Sequence, residues 1–577
     1  MTADSAQLNA DFAATLVEAL VEHGVRDLVV SPGSRSTALA LACAALEAAG
    51  RVRVTVVIDE RVAGFLALGL CKAARSPVAL VCTSGSAGAH YLPAVVEAAR
   101  TGLPLVVLTA DRPPELRDCG APQTIDQVRL FGAHAVAFAD PGPPAPGVSP
   151  AVWGRVAVDA LHAATGRPGG PVHLNLAFRE PLWADGLVGR AVSVASRPRS
   201  PAGPGLSPQA ATRLETMFSA ARRPLVVCGA RSLCEATTAA LLDLVARWRV
   251  PVLAEPLAQL RFAPDVPREV LAFGEALVRA GDFVAGHAPD LLVRIGGTPT
   301  TRAVQTFVNT AQGPQVGVSL EGHRHDPSGR LDLLLDLDGA EGIRALARAV
   351  APTVEPSWRE AWIAANARAG RALEAQAGQG FWAGTVVSSL VRALQEGDGL
   401  HVASSMPVRD LDAFAAPSVC RVRVTANRGA NGIDGTIATA AGLARASGRP
   451  TFCLLGDLAF QHDLGALVAA RGQAVDLTVV VVDNGGGGIF GYLPIATQTP
   501  AFERYFLTPP EADVVALAGA SGARVFSCDD TVSLETALAA ARQSAGLRVI
   551  HARVDRTHDT LRHREAFEAA RAALEAA

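Results

Sequence analysis

Thr451-Phe452-Cys453-Leu454-Leu455-Gly456-Asp457 and, further on, Leu477-Thr478-Val479-Val480-Val481-Val482-Asp483-Asn484-Gly485-Gly486-Gly487-Gly488 decide how this chain is read. Each begins as a nearly unbroken aliphatic run and stops at a polar residue. Such runs, separated by a helix-length stretch, read as neighbouring strands of a parallel sheet buried on both faces. In open α/β sheets, ligands sit beyond the carboxyl ends of the strands. One end would present the Asp457 carboxylate, and the next, 27 positions later, the Asn484 amide. A small set of hard oxygen donors suits Mg2+, which takes its other ligands from phosphate and water. Glycines let backbone groups approach a phosphate and tolerate positive φ, and the Gly486 carbonyl is the candidate third donor. Singly, Asp457 reads as a helix cap and the glycine run as a flexible loop. Together they read as a metal–phosphate site.

Outward from this segment the same alternation of aliphatic runs and helical stretches recurs, which predicts three doubly wound parallel-sheet α/β domains. The C-terminal domain is expected over 375–577, with strands at 400–402, 421–424, 451–455, 477–482 and 548–552. An N-terminal domain is expected over 1–196, with strands at 27–30, 52–58, 78–82, 105–109 and 172–176. A middle, Rossmann-like domain is expected over 209–351, with strands at 224–229, 252–254, 291–295 and 333–336. Residues 197–208, rich in proline, serine and glycine, read as a linker. After about 351 a polar helical connector carries Trp358 and Trp362. Three units of similar size suggest an ancient duplication.

Composition narrows the function. A length of 577 residues needs several domains, and 49% hydrophobic residues supply their cores. The formal net charge of −3 gives no general field for nucleic acid. The nine cysteines are scattered without a Cys-x-x-Cys pair, which excludes a disulfide framework or zinc site and fits a reducing cytoplasm. No basic-then-apolar leader is expected, and no run is long enough to span a bilayer. His323, Arg324, His325 and Asp326 read as a solvated loop rather than a metal cluster, because no further ligand set accompanies them.

Gly456-Asp457, about 27 residues, then Asn484 after a hydrophobic strand resembles the signature of thiamin-diphosphate enzymes. That resemblance implies a carboxylate beside the cofactor's aminopyrimidine, where it shares a proton with the ring nitrogen. Glu60 is the candidate, in Ile58-Asp59-Glu60-Arg61 after the strand 52–58. Alone it would read as an acid favoured by a helix dipole. The resemblance also implies a bulky aliphatic under the bent cofactor. Ile433, in Asn427-Arg428-Gly429-Ala430-Asn431-Gly432-Ile433-Asp434-Gly435, is the candidate, with an ordinary core isoleucine as its rival.

The strings Ser31-Pro32-Gly33-Ser34-Arg35-Ser36-Thr37, Asp59-Glu60-Arg61, Thr83-Ser84-Gly85, Thr109-Ala110-Asp111-Arg112-Pro113-Pro114-Glu115-Leu116 and Gly456-Asp457-Leu458, with the turn 427–435, narrow this further. In consistent order from about 11 to about 554, the chain resembles the 2-succinyl-5-enolpyruvyl-6-hydroxy-3-cyclohexene-1-carboxylate synthase family of menaquinone biosynthesis. The resemblance implies pyrimidine-binding, middle and diphosphate-binding domains. It implies a transferase that decarboxylates 2-oxoglutarate on thiamin diphosphate and adds the succinyl carbanion to isochorismate by 1,4-addition. Cofactor contacts would come from Glu60, Ile433, Gly456, Asp457, Leu458, Asn484, Gly486, Ile489 and Phe490, with Mg2+ or Mn2+ on Asp457, Asn484 and Gly486. Both substrates carry two carboxylates, which suit guanidinium forks. Arg35, Arg112, Gln123 and Arg302 would face isochorismate, and Ser405, Arg409 and Arg428 the succinyl end, with Ser34 a further substrate contact. The family often has lysine where Arg302 stands and glutamine where Gly488 stands. A homodimer at least, and a homotetramer by the resemblance, is implied, in the cytoplasm and without membrane insertion or a nucleic-acid partner. The rival readings are another thiamin-dependent 2-oxoacid decarboxylase, an acetohydroxyacid-synthase-like carboligase, and a binding protein that kept the fold.

Overall fold

A computed structural model describes residues 2–195, 206–231 and 233–576. The linker expected over 197–208 lies outside them apart from its last three positions. The chain forms two compact units. The first comprises Met1–Pro201, Gly429–Gly448 and Asp463–Val475, and the second Ala202–Arg428, Arg449–His462 and Asp476–Ala577.

The first unit holds a six-stranded sheet of β1 (Asp27–Val30), β2 (Arg53–Val56), β3 (Val78–Cys82), β4 (Leu105–Asp111), β5 (Ala137–Ala139) and β6 (Val172–Ala177). Its order is β2-β1-β3-β4-β6-β5, and every pairing is parallel. The inner strands are buried along their length; β3 runs apolar throughout, while β6 carries the buried His173 and Asn175, which bond to Thr109 of β4. The helix Glu60–Ala74 packs along the helix Thr436–Ser447 in this unit. A Cβ at Gly69 would stand 2.1 Å from the Thr439 carbonyl oxygen, and one at Gly442 2.2 Å from that of Leu66. Glycine at both positions is therefore what lets the two backbones touch.

The second unit holds two sheets. One contains β7 (Pro224–Cys228), β8 (Val252–Ala254), β9 (Val270–Leu271), β10 (Leu291–Ile295), β11 (Gln315–Ser319) and β12 (Leu333–Asp336), in the order β12-β11-β10-β7-β8-β9. The other contains β13 (Gly399–Val402), β14 (Arg423–Ala426), β15 (Thr451–Gly456), β16 (Leu477–Asp483), β17 (Arg524–Cys528) and β18 (Leu547–Arg553), in the order β14-β13-β15-β16-β18-β17. The first and last sheets therefore repeat one strand order, while the middle sheet has the order of dinucleotide-binding folds. The expected likeness among three units holds in topology for two of them.

The fourteen predicted strands are all present, with β2 shorter than 52–58 and β14 two residues later than 421–424. Four more complete the sheets: β5, β9, β11 and β17. Three of these are edge strands, short or partly exposed, and β11 is interrupted by Gly317. The connector after 351 is the helix Pro356–Ala377, but Trp358 and Trp362 are buried, and both indole N–H groups donate to the His287 carbonyl at 2.9 and 3.2 Å. The loop 323–326 is not simply solvated. The Asp326 carboxylate is buried against Arg294 at 3.2 Å and Arg324 at 3.1 Å and accepts the Arg330 N–H, because β10 presents Arg294 beneath it. Among the described residues, no helix is long and apolar enough to cross a membrane.

A buried polar cluster ties the last helix, Arg556–Glu575, to the helix Met406–Phe414. His563 Nε2 lies 2.8 Å from Asp410 Oδ1, and Nδ1 lies 2.8 Å from the Asp559 carbonyl oxygen, among Trp382, Phe414 and Tyr492. Burial works against the imidazolium, but the Asp410 and Asp559 carboxylates outweigh it and raise the His563 pKa to about 9. A raised pKa stabilises the fold fully below the ordinary histidine value of 6.5 and loses that contribution as pH rises through about 9. His563→Gln should therefore cost on the order of 3 kcal/mol near pH 6, as removal of one partner of a buried pair does. The stability gap to wild type should narrow above pH 9, as read by thermal melts across that range. A pH-independent gap would contradict the assignment.

Candidate active site

The strand register builds the first part of the site. β15 and β16 are parallel neighbours with Gly456 opposite Val482, so Asp457 and Asp483 leave the sheet side by side and Asn484 follows at once. Asp457, the first residue of the helix Asp457–His462, is 2% exposed. Its oxygens accept the Leu458 and Gly486 N–H groups, each at 2.7 Å. Burial first, and then the neighbouring Asp483 carboxylate, push its pKa up to about 7. Asp483 is held ionised instead by His551, whose Nε2 lies 2.7 Å from its Oδ2.

These residues fit a hard dication. A buried acid that resists ionisation beside a second acid lacks positive charge, and each carboxylate keeps lone pairs beyond those its N–H partners use. The Asn484 amide stands over Gly488, where a Cβ would lie 2.4 Å from Asn484 Nδ2. Gly486 has φ +129°, and a Cβ there would lie 2.3 Å from the Leu507 carbonyl oxygen, so only glycine places this carbonyl as found. Asp457, Asn484 and the Gly486 carbonyl could thus hold a metal. Gly456 and Leu458 flank the acid, and Ile489 and Phe490 lie half-buried in the short helix Gly488–Tyr492, with Phe490 edge-on to Phe506.

Two separate arginine groups lie at the crevices where strand order reverses. In the first unit this crevice lies between β1 and β3. Arg35 is buried there: its backbone N–H donates to Thr83 Oγ1 at 3.3 Å, and its guanidinium donates to the Phe178 carbonyl and to Glu180 Oε1, both at 2.9 Å. Arg112 donates to Ser84 Oγ, and Gln123, at φ +54°, donates to the Ser84 carbonyl at 3.0 Å. Burial and then the nearby Arg35 lower the Arg112 pKa. Arg35, Arg112 and Gln123 therefore converge on the turn Thr83-Ser84-Gly85, with Ser34 exposed beside Arg35.

In the second unit the equivalent crevice lies between β13 and β15. Ser405, at φ +73°, starts the helix Met406–Phe414, and its carbonyl accepts from Arg409. Arg428 donates to Ser404 Oγ at 3.1 Å. Arg302 is the exception. It is exposed at the start of the helix Arg302–Thr310 and, among the described residues, bonds to none of the other candidates.

Glu60 is the first residue of the helix Glu60–Ala74, but Asp59 caps that helix, with Oδ1 accepting the Arg61 N–H at 3.0 Å. Half-buried Glu60 is thereby left for other work. Ile433, also half-buried, lies in the first unit with Glu60.

Residues 10–130 match the family described as thiamine pyrophosphate enzyme, N-terminal TPP binding domain, and residues 421–552 match its C-terminal TPP binding domain. The 2-succinyl-5-enolpyruvyl-6-hydroxy-3-cyclohexene-1-carboxylate synthase of Myxococcus xanthus is 41% identical over 99% of this chain and 98% of that protein. The synthase of the same name from Geobacillus kaustophilus is 39% identical over 96% of each. The chain belongs to this synthase family. It is a thiamin-diphosphate-dependent enzyme. Its fold is also that of benzoylformate decarboxylase from Polynucleobacter necessarius, at 18% identity and a TM-score of 0.71 over 95% of this chain and 98% of that one.

Within this synthase-family chain, sequence reading passed over several residues the geometry brings in. Ser84 joins Arg112 to Gln123, and Asp483 with His551 completes the charge balance around Asp457. Asp483 adjoins Asn484 and was open to inspection. His551 was not, because it needs the pairing of β16 with β18, which sets Val481 opposite it. A side chain at Gly488 would meet the Asn484 amide where it now stands. Gly488→Ala should displace that amide and weaken the magnesium response roughly tenfold, as disturbed metal surroundings do. Activity measured against magnesium concentration checks this. An unchanged half-saturation point would show that Asn484 is not a ligand.

Proposed function

We propose that this chain decarboxylates 2-oxoglutarate and adds the resulting succinyl unit to isochorismate by 1,4-addition, giving the product for which its relatives are named. The observation that carries this choice is the pair of arginine groups, Arg35 with Arg112 and Arg409 with Arg428, each gathered at its own serine-bearing turn. Two polycarboxylate substrates call for two such groups. A decarboxylase or carboligase working on monocarboxylic oxoacids has no use for both.

In this reading Asp457, Asn484 and the Gly486 carbonyl hold Mg2+, which Mn2+ can replace, and through it the diphosphate. Gly456, Leu458, Ile433, Ile489 and Phe490 shape the space around the cofactor. Thiamin diphosphate, when bound, supplies the electron sink that carbon–carbon cleavage beside a carbonyl requires. Glu60 holds a proton at its carboxylate toward the aminopyrimidine. Ser405, Arg409 and Arg428 orient the carboxylates of 2-oxoglutarate, while Ser34, Arg35, Arg112, Gln123 and the more distant Arg302 receive isochorismate. Fixed guanidinium forks lower the entropy cost of aligning the two substrates. The three-domain division over 1–196, 209–351 and 375–577, the cytoplasmic location and a homodimeric or homotetrameric assembly belong to the same proposal.

Incubation with thiamin diphosphate, magnesium, 2-oxoglutarate and isochorismate should remove isochorismate absorbance only when all four are present. Carbon dioxide release from 2-oxoglutarate at the full rate without isochorismate would favour a plain decarboxylase instead. Glu60→Gln should bind the cofactor nearly as wild type does, yet turn over roughly 10²–10⁴-fold more slowly, the scale of lost proton-transfer catalysis. Near-wild-type turnover in that variant would remove Glu60 from its role.

A further inference from the structure

We infer that Glu97 is a positioning residue that holds the Ile433 loop in the geometry the cofactor needs, an inference that rests on the proposed cofactor role of Ile433. Glu97 lies in the helix Leu92–Thr101 and is 2% exposed. Its carboxylate does not cap its own helix. Instead Oε1 accepts the Gly429 N–H at 3.0 Å and Oε2 the Ala430 N–H at 2.7 Å. Lys72 Nζ, equally enclosed, stands 3.6 Å from Oε1. Inside a fold, a carboxylate is kept only where charge and hydrogen bonds compensate its lost water. Both oxygens are here directed at one short stretch of loop, with Lys72 as their countercharge.

That stretch cannot hold its shape alone. Asn431 and Gly435 both have left-handed backbone, at φ +62° and φ +61°. Between them sits Ile433, whose carbonyl accepts from Thr436 Oγ1 at 3.0 Å. Upstream, Gly429 lies so close to the helix Leu92–Thr101 that a Cβ would meet the Glu97 carbonyl oxygen and the Arg100 Cβ at 2.8 Å each. Downstream, a Cβ at Gly435 would fall 1.9 Å from Phe65 Cγ. The loop is thus clamped on both sides of Ile433. Phe65 and Lys72 belong to the helix that begins with Glu60. One rigid helix therefore sets Glu60 directly and Ile433 through Phe65 and through Lys72–Glu97.

Glu97→Gln keeps the size of the side chain but turns one acceptor into a donor facing an N–H. If the loop then spends most of its time elsewhere, apparent cofactor affinity falls by the fraction that remains competent. Thiamin diphosphate should be titrated into the full-length protein in saturating magnesium, followed by tryptophan fluorescence. Amide hydrogen exchange over 429–435 and melting of the cofactor-free protein should be measured alongside. Glu97→Gln should raise the apparent dissociation constant roughly tenfold or more, as expected for a lost charge-assisted hydrogen bond. It should speed exchange at Gly429 and Ala430, and recover most of its turnover at saturating cofactor. A merely structural role would lower the melting temperature and leave the affinity of the folded protein unchanged, and that result overturns the inference. If Glu97→Gln does not fold, Gly429→Ala, which forces the loop off the carboxylate, must show the same affinity loss. Wild type that fails to bind thiamin diphosphate sinks the functional reading and this inference with it. Wild-type binding with an unmoved Glu97→Gln affinity sinks this inference alone.

Discussion

The parallel pairing of β15 with β16 is the constraint from which the cofactor end of this enzyme follows. With Gly456 opposite Val482, the next residue on each strand is an aspartate, and neither can move away from the other without breaking the ladder. A register slip of one residue would send every side chain of β16 to the opposite face of the sheet. Both strands pack fitted side chains into a core on each face, so a slip would mispack both layers, and the crowding of carboxylates is built in. The protein resolves half of it internally: β18 brings His551 to Asp483. Asp457 is left as a buried acid that accepts two backbone N–H groups and, among the described residues, pairs with no cationic side chain, which suits a divalent ion.

Repetition of one strand order in the first and last sheets gives the enzyme two crevices of the same kind. Each reversal of strand order leaves a gap at the carboxyl ends, and each gap holds a serine-bearing turn with arginines over it. The middle sheet reverses between β7 and β10, yet its gap is filled by its own chain. A Cβ at Gly229 would lie 2.0 Å from the Gly297 carbonyl oxygen. Gln259 extends its amide to Val424 as a neighbouring strand would, at 2.6 and 3.0 Å, and Arg261 binds the backbone and carboxylate of Asp412 within the helix that carries Arg409.

Much of this was legible in the sequence because buried parallel strands cannot hide. A strand covered on both faces is mostly apolar, so β1, β3, β4, β10 and β16 announce themselves. Edge strands such as β9 and β17 are released from that demand and merge into their surroundings. The same logic divides the site. Asp457, Asn484 and Ser405 sit at strand ends and can be found by walking off the strand. His551 and Glu97 act on partners 68 and more than 300 positions away, and only the assembled fold brings those partners close. The shared topology of the outer sheets was likewise invisible, since strand order leaves no mark on local composition.

How the arginines are partnered argues for carboxylate ligands more strongly than their number does. Arg409 leans on the carbonyl of Ser405, Arg428 on a serine hydroxyl, and Arg112 on another. These are neutral acceptors, and a hydrogen bond from a guanidinium to a carboxylate is roughly twice as strong as one between neutral groups. A carboxylate would offer Arg409 and Arg112 a stronger acceptor than the serine oxygen each now holds. Arg35 differs, because one of its nitrogens already meets Glu180, a side chain 72% exposed. Water screens so exposed a carboxylate, and such pairs contribute little, so it neutralises the buried guanidinium without competing strongly for it. The second nitrogen stays fixed on the Phe178 carbonyl, so the fork remains oriented whichever carboxylate it meets.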